Sequence, residues 1–433
     1  MSGSDLKIGV LSRRAPISQT ADFGATIEHV GGLTRVLPAL AEFAEIAWTT
    51  LATQSQISLS KKHSFLKISN QSYQHDINIY LTEVDALTLQ QADWFCTHYI
   101  WPLLHDLPIP ELDAVELNLH FESIKSTCQA VASTCADDSN DGYLVNDFQL
   151  SHVTTALKEL QPQKPISFFL HTPWPKTKQS INFAIEILQF LATGMLGADV
   201  IEFQTQRDLE AFERFVVDYL PGQSIGMELK VNPVSVNVKD LQHKPTTQAE
   251  LMDLYDDDVS YVHIARSDPI KNTLAAMKSF TEIVQLPCSQ TRKFLDLFIV
   301  PSRQQWPEYQ ALLSDITECV EFCNSQLSSF SYTPIRLHIG NDYDLASQAL
   351  TRYDYLIVCS VADGLNLVVK EGAILNTRNG VIVSTANVGA MAELGNFCVL
   401  ADDSDEVSIA RALVTAKKLD LKSREEMSVK LKK

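Results

Sequence analysis

No apolar run in this 433-residue chain approaches the length of a membrane-spanning helix, about 20 residues, and the opening MSGSDLKIGVLSRRAP lacks the long apolar segment of a secretory leader. These absences predict a cytoplasmic protein with no membrane partner. Basic residues are in short supply, with 35 Lys and Arg against 53 Asp and Glu for a formal net charge of −18. That balance argues against nucleic acid and against an anionic surface, so an anionic substrate would need a local pocket of Arg and Lys. The eight cysteines (Cys96, Cys128, Cys135, Cys288, Cys319, Cys323, Cys359, Cys398) show no paired C-x-x-C spacing. Reduced core thiols are expected, and no zinc site.

What the chain does have is length and alternation. It exceeds what one core usually organises, and its 45% apolar content supplies two. Short apolar runs alternate with helix-like segments in both halves, which predicts two α/β domains with parallel sheets and right-handed crossovers. The polar stretch 239–258 reads as a linker between an N-terminal domain, 1–238, and a C-terminal domain, 259–405, with a helical tail at 406–433. Candidate ligand groups fall just after strands in each half, where open α/β sheets bind ligands, so a cleft lined by both sheets is expected.

The organising stretch is Ala362-Asp363-Gly364-Leu365-Asn366-Leu367-Val368-Val369-Lys370-Glu371, which follows the apolar run Tyr355 to Val358. It reads as strand, turn and helix start. Amides near Leu367 and Val368 would suit a diphosphate, while Asp363 and Glu371 would face hydroxyls. Asp363 as a plain helix cap, with Lys370 and Glu371 on a solvated face, is the equal alternative. In Arg266-Ser267-Asp268-Pro269-Ile270-Lys271-Asn272 two cations again follow a strand and precede a helix. Arg14 sits after the first strand run, as an anion ligand or a surface residue. Gly32 of Val30-Gly31-Gly32-Leu33 would let the backbone approach a ligand, or simply turn. Trp101 would stack on a sugar or fill a core, and His171, at the end of the Ile166–Leu170 run, would touch a ligand or be a satisfied core histidine.

Several stretches together resemble the trehalose-6-phosphate synthase-like glycosyltransferases of glycosyltransferase family 20. FFLHTPWP resembles the family's FFLHIPFP, YLVNDFQL its VWVHDYHL, ARSDPIKN its xDRLDYIKG, VPSRQQWPEYQ its APTRxDVPEYQ and SVADGLNLVVKE its xxRDGMNLVAKE; LSRRAPIS, VGGL and IWPLLHD resemble VSNRLPV, the GGL loop and LWPLFHY. The motifs run in family order over nearly the whole chain. The resemblance implies the GT-B fold, two Rossmann-like domains facing each other across a cleft. It implies a retaining transfer of a sugar, glucose in the related enzymes, from a nucleotide diphosphate sugar to a phosphorylated acceptor. No metal and no resident cofactor are implied, since the nucleotide sugar is a co-substrate.

Residue by residue, the resemblance implies that Arg266 and Lys271 hold the donor diphosphate, with Gly32 and the amides of Leu367 and Val368. It places Glu371 on the nucleotide ribose, Asp363 on the donor sugar and His171 beside that sugar. Asp147 and Trp101 would meet the acceptor, and Arg14 and Arg303 its phosphate. Leaving-group charge would be stabilised by fixed cations and amides, and domain closure would exclude water. The chain departs from the family where a glucose-contacting Tyr is Ala92, nine positions before Trp101, and where the VHDYHL histidine is Asn146. LDYIKG has become Ser267 to Asn272, which with HTPWP is similar to the validamycin-pathway pseudo-glycosyltransferases. The Lys370-Glu371 pair is closer to the true glycosyltransferases. The acceptor is therefore open, with glycerol 3-phosphate one candidate beside a sugar phosphate. The alternatives are a cyclitol transfer to an aminocyclitol phosphate and a catalytically silent sugar-phosphate-binding regulator. The base of the donor and the oligomeric state are left open, a homo-oligomer included.

Overall fold

A computed structural model describes residues 6–15, 17–19, 25–27, 32–52, 66–68, 74–137, 139–176, 182–223, 226–241, 258–285, 291–329 and 332–433. Most of the expected linker and the Val30-Gly31 half of the glycine pair lie outside these residues. The chain divides into two compact units, Met1–Val234 and Ser235–Lys433.

The first unit contains β1 (Lys7–Ser12), a small antiparallel pair β2 (Ile17–Gln19) and β3 (Ala25–Ile27), β4 (Glu45–Leu51), β5 (Leu66–Ile68), β6 (Ile77–Thr82), β7 (Gly142–Asn146), β8 (Ile166–Leu170), β9 (Val200–Phe203) and β10 (Glu228–Val231). Eight of these strands form one sheet in the order β10-β9-β8-β7-β1-β4-β6-β5. All its neighbours are parallel except β5, which runs antiparallel to β6 at the edge. The order reverses between β1 and β7, which pair from Ile8↔Gly142 to Leu11↔Val145. Such a reversal opens a crevice at the carboxyl ends of the two strands. One core forms where Val10, Ile46, Trp48, Ile77 and Ile79 meet Leu37 and Ala41. The helix Ala114–Cys135 packs on helix Ala86–Phe95 and on the strands β4 and β6. It is capped by Asp113, whose carboxylate accepts from the amides of Val115 and Glu116.

The second unit contains β11 (Val259–Arg266), β12 (Lys293–Val300), β13 (Ile335–Ile339), β14 (Tyr355–Val358), β15 (Val381–Thr385) and β16 (Val399–Ala401). Its sheet is parallel throughout, in the order β13-β12-β11-β14-β15-β16. Numbered from its own first strand this is 3-2-1-4-5-6, the doubly wound dinucleotide-binding order, with its reversal between β11 and β14. β14 and β15 are buried along their whole length, as central parallel strands covered on both faces must be. Helices Thr273–Gln285, Pro307–Leu327 and Glu406–Lys417 close one core against this sheet. Residues 406–433 form two helices, Glu406–Lys417 and Leu421–Leu431. Among the described residues the seven cysteines are unbridged, and no helix is long and apolar enough to cross a membrane.

Candidate active site

The second unit gathers its candidates at the carboxyl ends of β11 and β14. Arg266 ends β11, and a 3-10 turn, Pro269–Lys271, follows it, capped by the Asp268 side chain on the Ile270 amide. The backbone N–H of Val361 donates to Ile270 O at 2.9 Å, which ties this turn to the one after β14. Lys271 Nζ consequently reaches Asp363 Oδ2, which also accepts from Ser360 Oγ and Asn366 Nδ2, each at 3.0 Å. Asp363 is 8% exposed. A carboxylate buried with a lysine and two neutral donors is held in one orientation, with its charge matched.

The helix Leu367–Leu375 begins here. Its N-cap residue, Asn366, has φ 71° and makes no side-chain cap hydrogen bond, because its amide is turned to Asp363. The Val368 amide is therefore not capped by the side chain that would normally do so, and the Leu367 amide before it is likewise at the open end of the helix. Lys370 and Glu371 are buried on this helix, and Lys370 Nζ pairs with Glu393 at 3.0 and 3.2 Å.

A second loop, after β15, buttresses the Asp363 turn. The Asp363 N–H donates to Asn387 O, and the amides of Gly389 and Ala390 donate to the carbonyls of Asp363 and Leu365, at 2.9 to 3.1 Å. Two backbones approach so closely that a Cβ built on Gly389 would lie 1.7 Å from Gly364 O. Glycine is required there by contact, not by backbone conformation.

Asp268 is the third centre of charge. Its side chain is fully buried, Arg303 Nη1 donates to it at 2.5 Å and Arg266 Nη2 lies 3.6 Å away. Arg303 has φ 51°, and its guanidinium lies 5.3 Å from the Tyr309 ring centroid. Burial presses the pKa of Arg266 down, Asp268 opposes the fall and Arg303 adds to it. Arg303 and Arg266 thus share one carboxylate. The family resemblance assigns Arg303 to the acceptor, whereas Asp268 stands in the sequence as an ordinary turn residue before Pro269.

In the first unit the candidates gather at the carboxyl ends of β1, β7 and β8. Trp48 Nε1 donates to Ser12 Oγ at 2.8 Å, and Ser12 donates to Arg14 O at 2.6 Å, so a core tryptophan shapes the turn after β1. Arg14 is exposed on that turn, while Arg13 makes a two-point pair with Asp93 at 2.9 and 2.5 Å. Asp93 adjoins Ala92, which is buried in helix Ala86–Phe95. Trp101 is 8% exposed and packs on His105 and Phe148, at centroid distances of 4.1 and 6.2 Å. Trp101–Leu104 is helical and follows directly on the π-helical turn Cys96–Ile100 that extends helix Ala86–Phe95. Gly32 is the exposed first residue of the short helix Gly32–Val36.

Asp147 follows β7 with φ 72°, a left-handed value that is costly for a residue with a Cβ. Its carboxylate accepts the backbone N–H of His171 at 3.3 Å, and its own N–H donates to Phe169 O at 2.8 Å. The His171 ring stacks on Phe169 at 4.1 Å and touches Asn146 and Gln204 through its two nitrogens. Burial pushes its pKa down to about 3. Gln204 follows β9 and carried no sequence signal; only the pairing of β8 with β9 brings it beside His171. The second unit offers fixed cations and helix-start amides, and the first offers neutral polar groups with a strained aspartate.

A family model described as Glycosyltransferase family 20 matches residues 7–433. The chain is similar to validamine 7-phosphate valienyltransferase of Streptomyces hygroscopicus subsp. jinggangensis, at 26% identity over 96% of this chain and 88% of that one. It is similar to alpha,alpha-trehalose-phosphate synthase (UDP-forming) 1 of Arabidopsis thaliana, at 24% identity over 96% of this chain and 46% of that longer one. Among solved structures it matches an alpha,alpha-trehalose-phosphate synthase (UDP-forming) from Burkholderia xenovorans in complex with glucose-6-phosphate. There the TM-score is 0.77 at 19% identity, covering 98% of this chain and 95% of that one. That likeness shows the fold, which is GT-B.

Proposed function

The chain belongs to glycosyltransferase family 20 and is a glycosyltransferase, and we propose that it is a retaining one that moves a sugar from a nucleotide diphosphate sugar to a phosphorylated small-molecule acceptor. The observation that carries this reading is the joining of Arg266, Lys271, Asp363 and the helix start at Leu367 at one reversal of a doubly wound sheet. Transfer breaks the bond between the anomeric carbon and the diphosphate oxygen while the acceptor oxygen bonds to that carbon. Charge grows on the leaving diphosphate, where Arg266, Lys271 and the amides of Leu367 and Val368 stabilise it. The acceptor's proton passes to a leaving phosphate oxygen, so retention needs no enzymic nucleophile, and positioning supplies much of the rate. Asp363 holds the sugar hydroxyls and Glu371 the ribose. Arg14, Trp101 and Asp147, with Arg303 of the second unit, serve the acceptor.

Two relatives support different acceptors. The synthases are named for trehalose phosphate, and the valienyltransferase for validamine 7-phosphate. The buried Ala92, where the resembling synthases carry a glucose-contacting tyrosine, favours an acceptor other than glucose 6-phosphate; glycerol 3-phosphate and an aminocyclitol phosphate are the candidates. A screen of nucleotide sugars against phosphorylated acceptors, read as nucleoside diphosphate release, tests the reading. Turnover with one hydroxyl acceptor is expected. Turnover only with an amine acceptor selects the cyclitol-coupling reaction, and no turnover despite calorimetric binding overturns both.

A further inference from the structure

The polarity of three backbone groups determines the chemistry of His171. Asn146 Nδ2 lies 3.0 Å from Leu11 O and 3.2 Å from Leu144 O, two carbonyls that can only accept. Its amide is therefore oriented with Nδ2 towards them, and Oδ1 is left to face His171 Nε2 at 3.0 Å. On the other side the backbone N–H of Val234 can only donate, and it donates to Gln204 Oε1 at 2.9 Å. Gln204 Nε2 then faces His171 Nδ1 at 3.1 Å. An amide nitrogen is a donor, so Nδ1 accepts; an amide oxygen is an acceptor, so Nε2 carries the proton. We propose that Asn146 and Gln204 are positioning residues that lock His171 as its neutral Nε2–H tautomer, so that it meets the donor sugar as a fixed neutral partner and takes up no second proton.

Protonating Nδ1 would set an N–H against the Gln204 amide N–H, inside a site where neither can turn without losing its backbone partner. The low pKa of the ring, about 3 and caused by burial, agrees with this arrangement. The other groups facing the ring are the Phe169 ring and, at the backbone N–H, the Asp147 carboxylate. At position 146 the family pattern has histidine, which can present either tautomer. Asparagine here presents an oxygen of defined direction.

The assignment of His171 to the donor sugar rests on the function proposed above, but its tautomer does not, and the two are tested apart. Long-range proton–nitrogen NMR on the full chain with 15N-histidine, with the His171 signal assigned by its loss in His171→Gln, reads the tautomer without substrate. The expected result is a single neutral Nε2–H pattern, unchanged from pH 5 to 8. A neutral Nδ1–H pattern, an averaged pair of shifts or a titration near pH 6.5 would overturn the lock. Asn146→Asp adds a carboxylate at Nε2 and should bring the doubly protonated ring into this range, adding a new limb to the pH profile of kcat/KM. Should that variant not fold, Asn146→Ala serves: the lock requires averaging of the two ring-nitrogen shifts, and an unaltered spectrum overturns it. A confirmed lock in a chain with no turnover would leave this inference standing and remove only the transferase reading.

Discussion

The two sheets of this protein reverse their strand order in the same way and furnish the two reversals with opposite chemistry. Where β11 and β14 separate, the groups are ionic: Lys271 on Asp363, and Arg266 and Arg303 on Asp268. Where β1 and β7 separate, the Arg13–Asp93 pair and the Asp147 carboxylate flank a neutral trio, Asn146, Gln204 and His171, that exchanges hydrogen bonds whose direction the backbone sets. The contrast teaches that a common fold supplies a place, and side chains supply the task. A diphosphate leaving group demands charge that is already in position. A sugar or acceptor hydroxyl demands direction, which amides provide without the desolvation penalty of an ion.

The contrast is broken most strongly at Lys271. Lys271→Met removes a cation from the ionic reversal and leaves Asp363 buried without its charged partner. Steady-state kinetics should show kcat/KM for the donor falling by roughly 100- to 1,000-fold, with the acceptor KM little changed. Equal losses for both substrates would undo the division of labour between the units.

Gly389→Ala tests whether the ionic reversal depends on its buttress. With Gly364 O only 1.7 Å from the added carbon, the two loops must part, at about 3 kcal/mol by the scale of overpacked cores. Calorimetry should show the second unit's transition lowered, while the first unit's hardly moves.

A buried histidine of the second unit sharpens the comparison through pH. His263, 2% exposed, is hydrogen-bonded to Ile357 O and Thr273 Oγ1, and burial lowers its pKa to about 4. The unfolded chain takes up this proton near pH 6.5 and the folded chain only near 4, so stability is lost as pH falls across that window. His263→Gln abolishes the loss. Urea titrations of the second unit should therefore show the variant gaining on the wild type by about 2 kcal/mol between pH 7 and pH 5.

The smallest effect is expected at Asp268. Asp268→Asn keeps the shape but removes the charge shared by two arginines. Inorganic pyrophosphate should bind more tightly, because the site is more positive, while kcat/KM falls about tenfold because the guanidiniums are less well placed. Parallel changes in both quantities would show that Asp268 acts through charge alone.

The sequence by itself determined the architecture and the position of most candidates. Buried parallel strands are written as apolar runs, their carboxyl ends as turns, and the cations and carboxylates of Arg266 to Asn272 and Ala362 to Glu371 stand in those turns. Such patterns are local, a few residues long, and so can be read along the chain. The helix Ala114–Cys135 is hard to read along the chain although it spans 22 residues, because its buried face includes His120, Ser123 and Thr127 beside the apolar residues. What only the tertiary structure decided are relations across long separations. Trp101 turned inward to Phe148, Arg303 fell to Asp268 and Gly389 came against Gly364. Gln204, 33 positions beyond His171, chose that histidine's tautomer. A residue type states which hydrogen bonds and charges are available. Which of them are used depends on strand order and register, which bring distant turns to one end of a sheet and leave a buried polar group a single way to be satisfied.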